Sequence, residues 1–157
     1  MNLYFLRHGL AGERSEWQGD DTKRPLTDEG KEKMKRAAIT LAALDLGLDV
    51  IITSPLVRAK QTAEIVARKL NCPLVEDKRL EPGFNDEQLE KILLDHPDAN
   101  AVMFVGHEPD FSETISALIG GGNIVCKKGG LALVELPTAH SKRGELVWLV
   151  PPKVLTQ

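Results

Sequence analysis

An arginine, a histidine and a glycine stand directly after the first apolar run of the chain, and their types suit the binding of an anion. The run is Leu3–Leu6, and Arg7, His8 and Gly9 follow it. If the run is a parallel strand, its carboxyl end lies at the edge where open α/β sheets bind ligands. There an arginine can hold an anion, a histidine can present a ring nitrogen, and a glycine lets the backbone turn sharply.

Two further residues occupy the same kind of position later in the chain. Arg58 falls in the first turn of a helix predicted after the strand Val50–Ile52, and His107 follows the strand Ala101–Val105. Because the carboxyl ends of parallel strands meet at one edge, we expect two guanidiniums and two imidazoles to surround one crevice. Such a cationic cluster repels itself unless an anion fills it, and guanidinium forks match phosphate oxygens. The spacing therefore predicts a phosphoryl site, in which one neutral imidazole can attack phosphorus.

Four segments, in order along the chain, resemble the motifs of the histidine phosphatase superfamily, which includes the phosphoglycerate mutases. They are Leu6–Gly9, Arg24–Thr27 with Gly30, Ser54–Ala63 and Val105–Pro109. The match extends over nearly the whole chain, and within the superfamily the chain resembles the small SixA-type phosphohistidine phosphatases. The resemblance implies a phosphoglycerate mutase-like fold and phosphatase activity.

The resemblance also implies a role for each of four side chains. His8 is expected to be the nucleophile, which is phosphorylated transiently and then freed by water. Arg7, Arg58 and His107 are expected to bind the phosphoryl oxygens and to stabilise the charge of the transition state. No metal and no cofactor are implied, because cationic side chains supply the charge that magnesium supplies in other phosphoryl-transfer enzymes.

Further charged residues are candidates, each with an alternative interpretation as a solvated side chain. Glu81 lies in the part of the chain where larger family members carry the acid that protonates an alcohol leaving group. The basic pair that ends in Lys128 precedes two glycines and can attract an anionic substrate to the rim. Asp20, Asp21 and Arg24 flank the entrance by sequence order, where they either shape specificity or belong to a solvated loop.

Apolar runs of strand length alternate with longer helical patterns, which is typical of an α/β domain. The predicted strands, in chain order, are Asn2–Leu6, Val50–Ile52, Pro73–Val75, Ala101–Val105, Leu131–Leu136 and Leu146–Val150. The predicted helices follow Thr27 and Ser54 and cover Asp86–Leu94 and Phe111–Ile119. The last two strands predict an antiparallel hairpin at one edge of the sheet. We expect a three-layer sandwich, with a mostly parallel central sheet and helices on both faces, in a single domain over residues 1–157.

Capping residues predict where these helices begin and end. Thr27 is the expected N-cap of the first helix, and Gly47 is expected to end it. Ser54, directly before a proline, is the expected N-cap of the second helix. Asp110, with a glutamate three residues on, resembles a capping box before the fourth.

Composition narrows the class of protein. The 157 residues are 42% hydrophobic and 27% charged with a net charge of −3, which suits one compact domain and does not favour a nucleic-acid binder. Cys72 and Cys126 lack zinc or redox spacing, so we expect reduced thiols in a cytoplasmic protein. No apolar run approaches the ~20 residues that span a membrane, and no signal peptide is evident. Without a heptad pattern, a monomer is expected.

Alternative functions stay open. The leading hypothesis is a metal-independent phosphatase acting on phosphohistidine of a phosphorelay or phosphotransfer protein, such as a histidine phosphotransfer domain. The short segment around Glu81, without the subdomain that covers the site in larger relatives, leaves room for a protein-borne substrate. The alternatives are a phosphatase of small phosphomonoesters or other phosphoproteins and a catalytically silent phosphate-binding module. A metalloenzyme is disfavoured, because His8 and His107 lack a carboxylate or thiolate partner set.

Overall fold

A six-stranded sheet forms the centre of the computed structural model, which describes residues 1–157. The strands are β1 (Asn2–Arg7), β2 (Val50–Thr53), β3 (Leu74–Glu76), β4 (Ala101–Gly106), β5 (Leu131–Glu135) and β6 (Glu145–Val150). Their order across the sheet is β3-β2-β4-β1-β5-β6. The first four are parallel, β5 runs antiparallel to β1, and β6 runs antiparallel to β5. The predicted mostly parallel sheet with an antiparallel edge hairpin is confirmed.

Five helices cover the two faces of this sheet. They are α1 (Asp28–Ala43), α2 (Val57–Leu70), α3 (Asp86–Asp95), α4 (Asp110–Leu118) and the short α5 (Pro152–Leu155). The first two and α5 pack on one face, in a core that includes Met34, Ala63 and Leu155. The other two pack on the opposite face, in a core that includes Leu89 and Phe111. The three-layer sandwich is thereby confirmed. None of the helices combines the length and the apolar character needed to cross a bilayer.

β4 lies in the middle of the sheet and is buried along its whole length. Helices cover both of its faces, so its sequence is apolar without alternation. Val102 and Phe104 belong to the core under α3 and α4, whereas Met103 and Val105 belong to the core under α1 and α2. Burial of each such side chain stabilises the fold by roughly 1.5–3 kcal/mol. The strand that carries His107 is therefore held firmly from both sides.

The first helix begins as predicted but ends earlier. The hydroxyl of Thr27 accepts the main-chain N–H of Gly30 at 2.9 Å and so caps α1. The helix then ends at Ala43, before Gly47. Asp45 already has a positive φ of 47°, which is not helical, so the helix ends before Gly47. Gly47 itself has a φ of 61°.

The predicted cap of α2 is wrong. The helix begins at Val57 with Leu56 as its N-cap residue, so the turn after β2 is longer than the sequence suggested. Ser54 stays at the sheet edge, where it is fully buried, and its hydroxyl accepts the main-chain N–H of Leu56 at 3.3 Å. The hydroxyl is thus part of the edge that carries the candidate site.

The predicted cap of α4 is also wrong. Asp110 is the first helical residue, and Pro109 takes the cap position without a side-chain hydrogen bond. The carboxylate of Asp110 instead accepts the N–H of Gly83 at 2.8 Å. The carboxylate of Glu108 accepts the N–H of Ser112 at 3.0 Å, which satisfies one of the free donors at the start of the helix.

The parallel strands end in register at one edge. Arg7 pairs with Gly106 across β1 and β4, and Thr53 pairs with Val105 across β2 and β4. The residues that follow these three strands therefore emerge side by side.

Candidate active site

The four side chains predicted to form the site lie together at the carboxyl edge of the parallel strands. Arg7 ends β1, His8 follows it, Arg58 lies in the first turn of α2, and His107 follows β4. The ring centroids of His8 and His107 are 5.4 Å apart. His8 and Arg58 are 5% exposed and His107 is 4% exposed, so these three groups interact in an environment that contains little water.

Hydrogen bonds determine which nitrogen of His8 is free. Its Nδ1 lies 2.8 Å from the carbonyl oxygen of Gly9. A carbonyl oxygen only accepts, so Nδ1 carries the proton and Nε2 keeps the lone pair. The N–H of Gly9 donates to the hydroxyl of Thr62 at 3.0 Å, and that hydroxyl donates to the carbonyl of Arg58 at 2.8 Å. This chain of bonds fixes the backbone beside His8 and leaves the lone pair of Nε2 free.

In His107 it is Nε2 that contacts a protein group and Nδ1 that is left without a partner. Its Nε2 lies 2.8 Å from the hydroxyl oxygen of Ser54. The hydroxyl can donate its proton to Nε2 while its oxygen accepts the N–H of Leu56. In that tautomer the proton of His107 is on Nδ1, which is buried and has no partner within the protein. We infer that Nδ1–H is a donor available to a bound oxyanion.

Both imidazoles are held in the neutral form. Burial, and then repulsion from the protonated form of His107 and from the guanidiniums of Arg58 and Arg7, lower the pKa of His8 from 6.5 to about 3. Burial, followed by the charges of Arg58 and Arg7, lowers the pKa of His107 to about 3. At neutral pH the lone pair of His8 Nε2 is therefore available for attack on an electrophile.

The guanidinium groups of the two arginines are held at the same atom, Nη1, and are free at the same atom, Nε. Nη1 of Arg7 donates to the carbonyl of Cys126, and Nη1 of Arg58 donates to the carbonyl of Asp21, each at 2.9 Å. In both residues Nε is buried and has no partner in the protein. Buried polar atoms almost always have partners, so the two Nε–H groups and His107 Nδ1–H indicate a site built for an anion.

Glu81 is not hydrogen-bonded or ion-paired to this group. It is half-buried directly after a short 3-10 turn at Lys78–Leu80, and its carboxylate makes no hydrogen bond or ion pair with the four residues. The neighbouring Gly83 is bonded to Asp110, the first residue of α4, three residues after His107. The segment of Glu81 is thus tied to the edge that carries the site.

Lys128 belongs to a segment fastened directly to the end of β1. The N–H of Gly129 lies 3.1 Å from the carbonyl of Arg7 and 3.0 Å from that of His8. Lys128 is half-buried, and its ammonium makes no hydrogen bond or ion pair. The backbone of Lys128 is therefore adjacent to the candidate nucleophile.

Sequence reasoning missed three contributors to this geometry. Ser54 was interpreted as a helix cap, although its buried hydroxyl contacts His107. Thr62 falls in a quoted motif, but its position one helical turn after Arg58 is the only signal of its role. Cys126 contributes a main-chain carbonyl, a group that every residue type carries, so no sequence signal could have found it.

Comparison with known proteins agrees with the fold and the motifs. The family model described as histidine phosphatase superfamily (branch 1) matches residues 3–88, a stretch that includes Arg7, His8, Arg58 and Glu81. The chain belongs to the histidine phosphatase superfamily.

Individual relatives are similar to the chain over different lengths. An uncharacterized protein of Picosynechococcus sp. is 37% identical over 99% of each chain. The probable phosphoglycerate mutase GpmB of Escherichia coli is 35% identical over 60% of this chain, but the match covers only 43% of GpmB. Among solved structures, the protein histidine phosphatase SixA complexed with tungstate has a TM-score of 0.87 and 25% identity over 99% of each chain. These similarities support a phosphatase.

Proposed function

We propose that the protein is a metal-independent phosphatase that passes the phosphoryl group through His8 and acts on phosphohistidine carried by another protein. The observation that carries this proposal is the pairing of a buried neutral imidazole, with its Nε2 free, and three buried donors that lack partners in the protein. A nucleophile beside a ready-made oxyanion site is what two-step phosphoryl transfer requires.

The proposed reaction has two displacements at phosphorus. In the first, Nε2 of His8 forms a bond to phosphorus while the phosphorus–nitrogen bond of the substrate breaks, and the released imidazole takes a proton from solvent. The Nε–H groups of Arg7 and Arg58 and the Nδ1–H of His107 bind the phosphoryl oxygens. In the second, water attacks phosphorus and the bond to Nε2 breaks, which releases inorganic phosphate.

Two observations support a phosphohistidine substrate. The carboxylate of Glu81 makes no hydrogen bond or ion pair with His8 or His107, and an imidazole leaving group that solvent can protonate needs no acid from the protein. Similarity to the protein histidine phosphatase SixA supports the same substrate class, and the tungstate in that structure is a tetrahedral oxyanion like phosphate. Lys128, beside the end of β1, is proposed to attract the anionic substrate.

A second candidate is a phosphatase of small phosphomonoesters. The match to the probable phosphoglycerate mutase GpmB favours it, as does the bond between Gly83 and Asp110, which ties the Glu81 segment to the site edge. In this alternative Glu81 protonates the alcohol leaving group after a small movement of its loop. The two candidates share the nucleophile and differ in their need for an acid.

The test measures how fast the pure protein hydrolyses two substrates in the presence of a chelator. One substrate is a phosphocarrier protein phosphorylated on histidine, and the other is p-nitrophenyl phosphate. We expect fast loss of phosphohistidine, slow ester cleavage, and a loss of about a thousandfold or more in the variant His8→Ala. The exposed His140 provides the matched control, and His140→Ala should remain fully active. Full activity of His8→Ala would contradict the proposed nucleophile. Fast ester cleavage with intact phosphohistidine would establish the second candidate instead, and phosphate binding without turnover would indicate a silent binding module.

A further inference from the structure

Asp21 stands between three arginines at the mouth of the site. Its carboxylate Oδ1 accepts Nε of Arg24 at 2.9 Å, and its Oδ2 lies 3.3 Å from Nη2 of Arg58. Arg14 approaches Oδ1 at 3.9 Å from the solvent side. The main-chain carbonyl of Asp21 also accepts Nη1 of Arg58, so Asp21 contacts this guanidinium twice.

These two contacts occupy one particular edge of the Arg58 guanidinium. Nη1 and Nη2 form the outer end of the group. Nη1 donates to the main-chain carbonyl of Asp21, and Nη2 forms an ion pair with the Asp21 carboxylate. Nε–H and the second N–H of Nη2 point to the same side and form a separate fork. That fork is free of Asp21, and Nε is buried without a partner. A guanidinium fork of this kind binds two oxygens of a phosphoryl group.

Arg7 reaches the same arrangement without a carboxylate. Its Nη1 is held by the carbonyl of Cys126, and its Nε is likewise buried and free. Each arginine is thus fixed at Nη1 and left open at the Nε side. Arg58 depends for this support on the loop between β1 and α1, which carries Asp21, whereas Arg7 depends on the segment between α4 and β5, which carries Cys126.

The supporting loop is itself held in place. Arg24 is 8% exposed, donates from Nε to the carboxylate of Asp21 and donates from Nη1 to the carbonyl of Gly12. The hydrogen bond from Arg24, together with the charge of Arg58, keeps the pKa of Asp21 below its ordinary value. The carboxylate is therefore ionised at neutral pH, and it reduces the mutual repulsion of the arginines.

We propose that Asp21 is a positioning residue for the reaction, which holds the outer end of Arg58 so that its Nε–Nη2 fork faces the phosphoryl group. This inference rests on the proposed function, since it assumes that Arg58 binds the transferred group. Asp21 is not itself a catalytic residue, because its two contacts lie on the edge of Arg58 away from the free fork.

A competing explanation predicts the opposite change in phosphate affinity when Asp21 is neutralised. If Asp21 merely competes with phosphate for Arg58, its neutralisation should tighten the binding of phosphate and should not slow turnover. If Asp21 positions Arg58, neutralisation should weaken phosphate binding and lower kcat, although the site becomes more positive.

The experiment compares Asp21→Asn with Asp20→Asn. Asp20 is the adjacent exposed carboxylate, which accepts the N–H of Thr22, and asparagine keeps that capping ability. The affinity for inorganic phosphate is measured by calorimetry, and kcat is measured with a histidine-phosphorylated phosphocarrier protein. We expect each to fall by about tenfold in Asp21→Asn, because the ion pair that holds Nη2 of Arg58 is lost, and neither to change in Asp20→Asn.

A double-mutant cycle separates positioning from general stability. Lysine at position 58 has no planar fork to orient, so Asp21→Asn should have no further effect in the Arg58→Lys background. If Asp21→Asn fails to give a cooperative thermal transition, Asp21→Glu takes its place. That variant keeps the charge on a longer arm and should lose phosphate affinity while remaining folded.

The outcomes are distinguishable. Equal affinities and rates in the two single variants, tighter phosphate binding in Asp21→Asn, or an undiminished effect in the Arg58→Lys background would each overturn the positioning role. A wild-type protein that binds phosphate but hydrolyses neither substrate would overturn the proposed function, and the phosphate affinities would still test Asp21.

Discussion

Acid should destabilise this protein through the two histidines that it buries in the neutral form. In the folded state His8 and His107 each have a pKa of about 3, whereas an unfolded histidine has its ordinary pKa of about 6.5. Between these values the unfolded chain binds a proton that the folded chain does not bind. The free energy of unfolding must therefore fall as the pH is lowered from 6.5 towards 3.

The size of the effect follows from the two pKa values. At pH 5.0 an unfolded histidine is about 97% protonated, and a buried one of pKa 3 is about 1% protonated. Protonation at pH 5.0 therefore shifts the unfolding equilibrium towards the unfolded chain by about 30-fold, which corresponds to about 2 kcal/mol for each histidine. At pH 7.5 the same difference is close to zero. The variant His8→Asn should therefore lose about 2 kcal/mol less stability than the wild type over this interval.

The assay is urea unfolding at pH 7.5 and pH 5.0, in buffers without phosphate or sulfate that could occupy the site. Asparagine suits position 8 because its amide can still donate to the carbonyl of Gly9. His140→Asn, at an exposed position, is the matched control for the loss of an imidazole. If the free energy of unfolding falls equally between pH 7.5 and pH 5.0 in His8→Asn and in the wild type, the argument that His8 is buried as a neutral imidazole is refuted.

Two further predictions concern the residues around the nucleophile. Ser54→Ala removes the hydroxyl that contacts Nε2 of His107, so the position of the proton on that imidazole is no longer fixed and kcat/KM should fall about tenfold on any substrate. Ser54→Thr restores a hydroxyl and should restore most of kcat/KM. An unchanged kcat/KM in Ser54→Ala would show that Ser54 has no role in the mechanism. Glu81→Gln should change phosphohistidine hydrolysis by less than about twofold, and cleavage of an alkyl phosphate should fall at least about tenfold if Glu81 supplies a proton to that leaving group. A large loss on phosphohistidine would show that the acid is needed there as well.

The strands and helices that carry the site were predictable because their burial in the core requires an apolar sequence pattern. β4 is packed between two layers of helices, so it has to be apolar throughout, and its bounds can be read within about one residue. The rule that parallel strands end at one edge then brings His8 and His107 together, although 99 positions separate them along the chain. Helix starts were less predictable, as Ser54 and Asp110 show. Both are good capping residues, but each has a tertiary partner that occupies its side chain.

The sequence by itself determined the layered fold, the order of the motifs and the identity of the four side chains at the strand ends, because these depend on apolar patterning and residue type. The tertiary structure alone decided the chemical state of those side chains. Which nitrogen of His8 is free depends on a carbonyl oxygen, and the low pKa of both imidazoles depends on burial beside two guanidiniums. The orientation of Arg58 depends on Asp21, 37 positions away. Distances between residues far apart in the chain, and main-chain groups common to all residues, set these properties, and neither leaves a pattern in the order of amino acids.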